Sequence, residues 1–275
     1  MWSDPMFSFL TSVRLNGVAL WVVLLMACGV FLASFMDAIA GGGGIISVPT
    51  YLIGLSGLPI YNVFGTNKLS SCLGTIFSFG RFAKNGYVNW KLFLPAVALA
   101  LLGAAGGTWL QLRTPAVVLK YILLFVLPVV AYLTLRTKRW PEEPEPMDPV
   151  RQALIVWGSA LVVGAYDGYY GPGTGTFLML LFVRLAKLDT RHAAGGVKIV
   201  NMASNIGSLI TAFSAGTVLL GVGLVCAVGS IAGHFLGAGV TIKNGSRIVR
   251  PTVVVVLVLL TLKIVSELLF PDFWG

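Results

Sequence analysis

Residues 37–44, DAIAGGGG, recur in altered form 130 residues later as residues 167–174, DGYYGPGT, and this recurrence decides the fold. A constant offset that persists from Asp37 to Gly107 indicates one unit used twice. In an apolar chain, such a duplication is the usual plan of a transporter whose pathway lies between the repeats. The same offset relates Gly65 to Gly195, Lys68 to Lys198, Gly103 to Gly233 and Gly107 to Gly237.

The composition is that of a membrane protein. Hydrophobic residues make up 57% of the chain and charged residues only 11%, and the mean hydropathy is +0.89. A soluble domain carries about 25% charged residues. Residues 199–242 contain no Asp, Glu, Lys or Arg, which leaves room for two helical spans of roughly 20 residues each. These features predict an all-α polytopic membrane protein in a lipid bilayer.

Neither the charge nor the cysteines indicate a nucleic-acid partner or a metal site. The net charge of +9 comes from Lys and Arg in short loops beside apolar runs, where they orient the chain and contact anionic lipid. Cys28, Cys72 and Cys226 lie in apolar segments and lack the spacing of a metal site or a disulfide framework. We therefore expect no nucleic acid, no metal and no cofactor.

Each repeat is predicted to contain five hydrophobic segments. The first repeat covers residues 15–135 and the second covers 151–270. Between them lies a cytoplasmic linker, residues 136–150, whose prolines exclude a spanning helix. The predicted segments are 15–36, 43–56, 64–83, 91–111 and 117–135 in the first repeat, and 151–166, 174–186, 195–214, 219–240 and 250–269 in the second.

The loop charges are inverted between the repeats. The loop after the third segment is basic in the first repeat, with residues 81–91 carrying two Lys and one Arg, and uncharged in the second, around Gly216. The loop after the second segment is uncharged at residues 56–64 but basic at 184–191. Because Lys and Arg mark the cytoplasmic side, we expect two inverted repeats. Arg14 is the exception, since this scheme places it outside.

Each repeat also has a glycine-rich break between a long apolar run and a short one. Glycine has a low helix propensity. Backbone groups that are freed at membrane depth need hydrogen bonds from protein or water. We interpret the breaks as broken helices whose N–H groups face an anion, with close packing through small residues as the alternative. The predicted substrate-binding residues here are Gly41, Gly42, Gly43, Gly44, Gly171, Gly173, Thr174 and Gly175.

Two lysines each begin a polar stripe on an otherwise apolar helix. Lys68 and its counterpart Lys198 are followed by hydroxyl or amide residues at intervals of three and four, which places them on one helix face. A lysine beside helix N-termini attracts anions, although a lysine can instead extend its stem to the membrane surface. The predicted substrate-binding residues of the stripes, together with the two residues before Lys68, are Thr66, Asn67, Lys68, Ser71, Thr75, Lys198, Asn201 and Asn205.

Three titratable residues have several open roles. Asp37 and Asp167 cannot bind an anion while ionised, so they pair with the lysines, cap the broken helices or carry protons. His234 lies in the middle of a segment where the first repeat has Ala104. It is either a proton-coupling group that titrates near neutral pH or a hydrogen-bonded structural histidine.

Residues 41–49, GGGGIISVP, followed by residues 65–71, GTNKLSS, resemble the sulfite exporter TauE/SafE family, and the resemblance covers nearly the whole chain. It implies a multi-pass permease of the bacterial cytoplasmic (inner) membrane for sulfur-containing anions such as sulfite, sulfonates or sulfoacetate. The second break departs from the first, since it has GPGTG in place of GGGG, and Lys198 follows GGV in place of GTN.

We therefore expect a secondary transporter that exports a small anion, driven outward by an inside-negative potential at about 2.3 kcal/mol per charge per 100 mV. The alternatives are an anion channel and an intramembrane enzyme. Tyr166-Asp167 resembles half of an aspartyl intramembrane protease motif, but the partner Gly-x-Gly-Asp is missing, so we expect no enzyme. The sequence leaves open whether the chain forms a homo-oligomer.

Overall fold

The computed structural model describes residues 12–115, 118, 141–249, 251–252 and 255. Over these residues the chain is almost wholly helical, and each repeat shows the same series of a long helix, a short helix and two long helices. The first repeat contains α1, Leu20–Ala40; α2, Gly44–Gly54; α3, Ile60–Lys84; and α4, Trp90–Gln111. The second contains α5, Pro149–Tyr169; α6, Thr174–Arg184; α7, Thr190–Ser214; and α8, Leu220–Asn244.

The helix starts follow the repeat offset. Gly44 and Thr174 begin the two short helices, and Ile60 and Thr190 begin the helices after them, so each pair is 130 residues apart. The first four predicted segments of each repeat correspond to these helices. Of the predicted fifth segments, 117–135 and 250–269, only residues 118, 251–252 and 255 are among the described residues.

The first helix begins later than the predicted residue 15, because the chain first forms a short hairpin. Strands β1, Arg14–Leu15, and β2, Val18–Ala19, pair antiparallel. They flank Asn16 and Gly17, whose φ angles are 50° and 83°, and Asn-Gly favours such two-residue turns with positive φ. The Asn16 side chain accepts a hydrogen bond at 2.9 Å from the N–H of Gly221 in the first turn of α8. The hairpin therefore caps a helix of the second repeat.

Three helices of the described chain, α1, α4 and α8, are long and apolar enough to span a membrane. Helices α2 and α6 are shorter apolar helices. In α3 and α7 the polar residues lie inside the bundle, where Lys68 and Lys198 are both buried. Large apolar side chains instead cover the outside, as a lipid-facing surface requires. This architecture is that of an all-α, multi-pass membrane protein. Exposed apolar residues include Leu25, Leu32, Leu94, Leu102 and Val228.

Glycines allow long helices of the two repeats to pack closely. An added Cβ at Gly103 on α4 would lie 2.4 Å from the carbonyl oxygen of Leu161 on α5. An added Cβ at Gly233 on α8 would lie 2.3 Å from the carbonyl oxygen of Phe31 on α1. The second contact is the first one with the repeats exchanged. Small residues at such positions let helix backbones approach closely within a membrane.

The loops collect at two ends of the helix bundle according to their charge. At one end, Asn62 in the first turn of α3 donates a hydrogen bond to the carbonyl oxygen of Thr217 at 3.1 Å, which joins the two uncharged loops. At the other end, the rings of Tyr87 and His192 pack with centroids 5.5 Å apart, which joins the two basic loops. The N-terminal hairpin lies at the uncharged end, because Asn16 contacts the start of α8.

Candidate functional site

Asp37 and Asp167 lie near the ends of α1 and α5, and each holds the start of the short helix that follows it. Oδ1 of Asp37 accepts a hydrogen bond from the backbone N–H of Gly43 at 3.2 Å. Oδ1 of Asp167 accepts one from the hydroxyl of Thr174 at 3.0 Å. The first bond satisfies a backbone N–H that is freed where the helix is broken, whereas the second is made to a side chain. Asp37 therefore caps the break, and Asp167 holds the Thr174 side chain.

The second carboxylate oxygen of each aspartate binds the lysine of the other repeat. Lys68 Nζ lies 2.7 Å from Asp167 Oδ2, and Lys198 Nζ lies 3.0 Å from Asp37 Oδ2. None of the four side chains is more than 11% exposed. Loss of one partner from a buried ion pair typically costs about 3–5 kcal/mol, because the remaining charge is left uncompensated. The two cross-pairs therefore connect the repeats at their breaks.

A cavity of about 40 Å³ lies between the ion pairs. One water needs about 10–15 Å³ by the same measure, so the cavity has room for a few water molecules. Its walls come from both repeats, and most of the residues predicted to bind substrate lie together here. The predicted residues that line it are Asp37, Gly41, Gly43, Gly44, Asn67, Lys68, Ser71, Thr75, Asp167, Gly171, Thr174, Gly175, Asn201, Asn205 and His234.

Four of the predicted residues are not part of the cavity wall: Gly42, Thr66, Gly173 and Lys198. The Thr66 hydroxyl accepts a hydrogen bond from the N–H of Leu219 at 3.0 Å and so holds the loop before α8. Lys198 donates to the backbone carbonyl of Asp37 as well as to its carboxylate. Gly173 has a φ of 85° where α6 begins, which a residue with a Cβ rarely adopts.

The two breaks pack against each other at Gly41, and Gly43 packs against α1 of its own repeat. An added Cβ at Gly41 would lie 2.2 Å from the carbonyl carbon of Gly175, and Gly41 has a φ of 75° where α1 ends. An added Cβ at Gly43 would lie 2.6 Å from the carbonyl oxygen of Ala33. The packing alternative thus explains Gly41 and Gly43, whereas Gly171 has more room, with its nearest neighbours at 3.4 Å.

His234 on α8 lies beside Asp37 at the edge of the cavity. Its Nε2 is 3.2 Å from Asp37 Oδ2, and its Nδ1 is 3.0 Å from the carbonyl oxygen of Ser230. The Ser230 hydroxyl lies 2.9 Å from that of Ser34 on α1. The same oxygen of Asp37 therefore faces both Lys198 and His234.

Sequence reasoning missed two residues that hold this site, Ser204 and Ser230. The Ser204 hydroxyl donates to Asp167 Oδ2 at 2.7 Å. The repeat offset places Gly74 opposite Ser204 and Ala100 opposite Ser230, so neither serine produces a signal in a search for repeated residues. The spacing of Ser230 and His234, four residues apart on one helix face, is the signal that could have linked them.

One polar atom in the cavity wall is buried without a partner. Within the described chain, Asn67 Oδ1 and Ser208 Oγ are the buried side-chain oxygens that make no hydrogen bond, and Asn67 lines the cavity. The repeat offset places Val197 opposite Asn67. A buried polar group without a partner costs about 1–3 kcal/mol, so this oxygen is poised to accept a further hydrogen bond.

The chain matches the family described as sulfite exporter TauE/SafE over residues 25–264. It belongs to this family. It is 34% identical over 256 residues to "Probable membrane transporter protein ORF9" of Sinorhizobium sp, covering 92% of this chain and 96% of that protein. It is 32% identical over 261 residues to "Probable membrane transporter protein YfcA" of Escherichia coli (strain K12), covering 94% and 93%.

A third relative, "Probable membrane transporter protein" of Haemophilus influenzae, is 32% identical over 248 residues, covering 90% of this chain and 95% of that protein. No solved structure matches this TauE/SafE chain. The relatives are named for transport, so the predictions of the family and of a membrane transporter rather than an enzyme are confirmed.

Proposed function

We propose that this TauE/SafE protein is a secondary transporter of the bacterial cytoplasmic membrane that exports small sulfur-containing anions such as sulfite, sulfonates or sulfoacetate. The observation that carries the proposal is the position of Lys68 in the cavity wall. Its ammonium group binds Asp167 Oδ2 at 2.7 Å and Asn205 Oδ1 at 3.3 Å. A substrate oxyanion offers the same ligand chemistry as the Asp167 carboxylate and can take its place on Lys68.

Two further features suit the cavity to an anion. Gly44 and Thr174, the first residues of the two short helices, line it, and helix N-termini carry partial positive charge and unpaired N–H groups. The Asn67 amide lines the cavity, where its NH2 group can donate to an anion. Its oxygen, which has no partner in the described chain, accepts hydrogen bonds and so suits a water or a ligand hydroxyl rather than the anionic group.

The two repeats, residues 15–135 and 151–270, are proposed to be an inverted pair joined on the cytoplasmic side by residues 136–150. Reciprocal contacts support this arrangement, because a contact from one residue to another that recurs with the repeats exchanged is characteristic of a two-fold axis. The Lys68–Asp167 and Lys198–Asp37 pairs have this property. The separation of uncharged and basic loops at opposite ends is a second support.

The position of Arg14 also supports this topology. The charges of the other loops imply that Arg14 lies on the outer side, although its own positive charge would favour the cytoplasmic side. The hairpin that contains it caps α8 at the uncharged end of the bundle, which is the end that the positive-inside rule assigns to the outside.

Transport requires the cavity to open. With room for only a few waters, the cavity is too small for an organic sulfonate, and both lysines are occupied by aspartates. Movement of one repeat against the other around a fixed site is the usual solution in transporters built this way. Outward movement of the anion is favoured by about 2.3 kcal/mol per charge per 100 mV of inside-negative potential.

A flux assay tests this function. The purified protein is reconstituted in liposomes preloaded with unlabelled sulfite, taurine, sulfoacetate or thiosulfate, and uptake of the labelled anion is followed. A carrier shows counterflow, whereas a channel does not. Lys68→Ala is expected to reduce the signal about tenfold or more at subsaturating anion, and Lys187→Ala, at a half-exposed lysine in a loop, is the matched control. Absence of counterflow for all four anions would contradict the proposal.

Cysteine accessibility tests the topology. Asn85→Cys and Ala215→Cys are introduced separately after replacement of Cys28, Cys72 and Cys226. A membrane-impermeant thiol reagent added to intact cells is expected to label position 215 and not position 85. Labelling of both positions, or of neither until the membrane is opened, would contradict the inverted topology.

A further inference from the structure

We infer that His234 links anion binding to proton uptake, so that the cavity accepts an anion more tightly when the imidazole carries its second proton. The inference rests on the anion-binding role proposed for the cavity. It concerns only one half of the site, since the first repeat has Ala104 at the position equivalent to His234.

The contacts of His234 accommodate a second proton. Nε2 lies 3.2 Å from the carboxylate oxygen Asp37 Oδ2, and Nδ1 lies 3.0 Å from the carbonyl oxygen and 3.3 Å from the hydroxyl oxygen of Ser230. A neutral imidazole can donate from Nε2 to Asp37 and accept at Nδ1 from the Ser230 hydroxyl, whereas the imidazolium can donate from Nδ1 to the Ser230 carbonyl oxygen. The side chain is 2% exposed.

The fixed charges around the cavity cancel unless His234 is protonated. Two lysines face two aspartates in the cross-pairs, so the four charges sum to zero. Protonation of His234 adds one positive charge, and this charge is available to an anion because Asp37 is already neutralised by Lys198. The titratable and charged groups that share the cavity wall with His234 are Asp37, Lys68, Asp167 and Tyr170. Lys198 pairs with Asp37, and Arg81 packs on the ring of Phe235, the residue after His234.

The packing around His234 is specific to this half of the site. An added Cβ at Gly74 would lie 2.2 Å from Ser230 Oγ and 2.4 Å from His234 Nδ1, so Gly74 makes room for both side chains. The position equivalent to Gly74 in the second repeat is Ser204. Its hydroxyl donates to Asp167 Oδ2 at 2.7 Å. One aspartate is therefore supported by a titratable group and the other by a group that does not titrate.

The direction of the pH effect follows from linkage. An anion stabilises the imidazolium, and the imidazolium stabilises the bound anion by the same factor. Histidine changes its charge between about pH 5 and 8, so anion affinity is expected to be highest at the acidic end of this range. Coupling factors between two sites are typically about 5–150-fold. Export would then carry a proton out with each anion.

The test measures binding of methanesulfonate to the purified full chain at about pH 5 and about pH 8, the range in which histidine titrates. Methanesulfonate keeps its single charge over this range, so any pH dependence belongs to the protein. The wild type is expected to bind at least about fivefold more tightly at the lower pH. His234→Gln, which keeps a polar side chain of similar length but cannot carry charge, is expected to bind with equal affinity at both.

Two further variants control for structure. His192→Gln removes the other histidine of the chain, which lies half-exposed beside Asp189 at the start of α7, and it is expected to keep the wild-type pH dependence. The combination Gly74→Ser, Ser230→Ala and His234→Ala gives this half the residues of the other half, and it is expected to bind without pH dependence. It serves as the second variant if His234→Gln fails to fold.

The outcomes separate this inference from the function on which it rests. Equal wild-type affinity at both pH values, or a pH dependence that survives in both His234 variants, would overturn the inference while leaving the anion site intact. Absence of binding at either pH by a folded wild-type protein would overturn the anion site and the inference together. The NMR signal of the imidazole rings gives a readout that does not depend on a measured affinity. Addition of methanesulfonate is expected to shift the His234 signal towards that of the charged form.

Discussion

The two halves of the cavity share one plan but differ in how available their lysine is. Lys68 lines the cavity and binds Asp167. Its counterpart Lys198 is 2% exposed and donates to both the backbone and the side chain of Asp37. The two repeats thus contain the same ion pair, but the surroundings of the two lysines differ. Lys68 faces the cavity, whereas Lys198 is bound to the residue that caps the first break.

The same comparison extends to the glycines of the two breaks, where the largest effect is expected. Gly41→Val introduces a side chain against the backbone of Gly175 at a position with φ 75°. Backbone strain and overpacking each cost about 1–3 kcal/mol, so a loss of about 5 kcal/mol is expected. Gly171→Val, at φ 97° with 3.4 Å to its nearest neighbour, should lose only the strain component. Thermal unfolding of both variants in detergent measures the difference, and equal losses would mean that the breaks do not pack as described.

Replacement of either lysine should cost stability, and replacement of Lys68 should also weaken anion binding. Lys198→Ala leaves the buried Asp37 carboxylate without its lysine, so a loss of stability of about 3–5 kcal/mol is expected. Lys68→Ala is expected to lose a similar amount, since both aspartates are buried and both line the cavity. Anion affinity of the folded Lys68→Ala protein should fall about tenfold or more, as for loss of a charge-assisted hydrogen bond.

A second substitution controls for the charge left behind. Asp37→Asn in the Lys198→Ala background removes the uncompensated carboxylate and should recover much of the stability. If Lys198→Ala alone is as stable as the wild type but cannot bind an anion, the roles assigned to the two lysines are reversed.

The Asn67 amide gives a smaller and more specific difference between the halves. Asn67→Val introduces the residue found at the equivalent position, Val197. It removes a buried amide whose oxygen has no partner in the described chain, so stability should stay the same or rise. Anion affinity should fall by about tenfold, the value of one hydrogen bond to a charged group. Calorimetric titration with methanesulfonate measures this, and Val197→Asn is the reverse control, which should change affinity little. Unchanged affinity in Asn67→Val would remove the amide from the proposed site.

The smallest effect is expected where the linker contacts the second repeat. Glu142 accepts hydrogen bonds from the backbone and side chain of Ser246 and lies 3.3 Å from Arg191, and both partners belong to the second repeat. The hydrogen bonds from Ser246 hold the pKa of Glu142 below its usual value. Glu142→Gln should cost less than about 1 kcal/mol, as for exposed ion pairs.

The pH dependence of the unfolding temperature distinguishes an electrostatic contribution of Glu142 from a contribution of side-chain packing. Because the pKa of Glu142 is lowered on folding, its contribution is present above the unfolded pKa of about 4.3 and is lost as the pH falls through the folded value. Wild-type and Glu142→Gln proteins should therefore differ in unfolding temperature at neutral pH and converge in acid. A constant difference at all pH values would assign the effect to packing.

The sequence predicted most of the cavity wall because the relevant signals are local or repeated. A lysine followed by hydroxyl or amide residues at intervals of three and four marks one face of a helix, and Ser71 and Asn201 duly lie in the cavity. Thr66 lies two residues before Lys68 on the same helix. Two residues along a helix correspond to about 200° of rotation at 3.6 residues per turn, so Thr66 faces the loop before α8 instead.

The sequence by itself determined the membrane class, the duplication and the positions of the breaks, because hydropathy, glycine content and a constant offset are properties of the chain alone. Only the tertiary structure decided which aspartate meets which lysine, since Asp37 and Lys198 are 161 residues apart and their meeting depends on how the two repeats pack. The same packing buries both lysines, places Lys68 but not Lys198 in the cavity wall and places His234 beside Asp37. These differences between the two halves of the site arise from neighbours such as Gly74 and Ser204, which contact the site only once the helices are assembled.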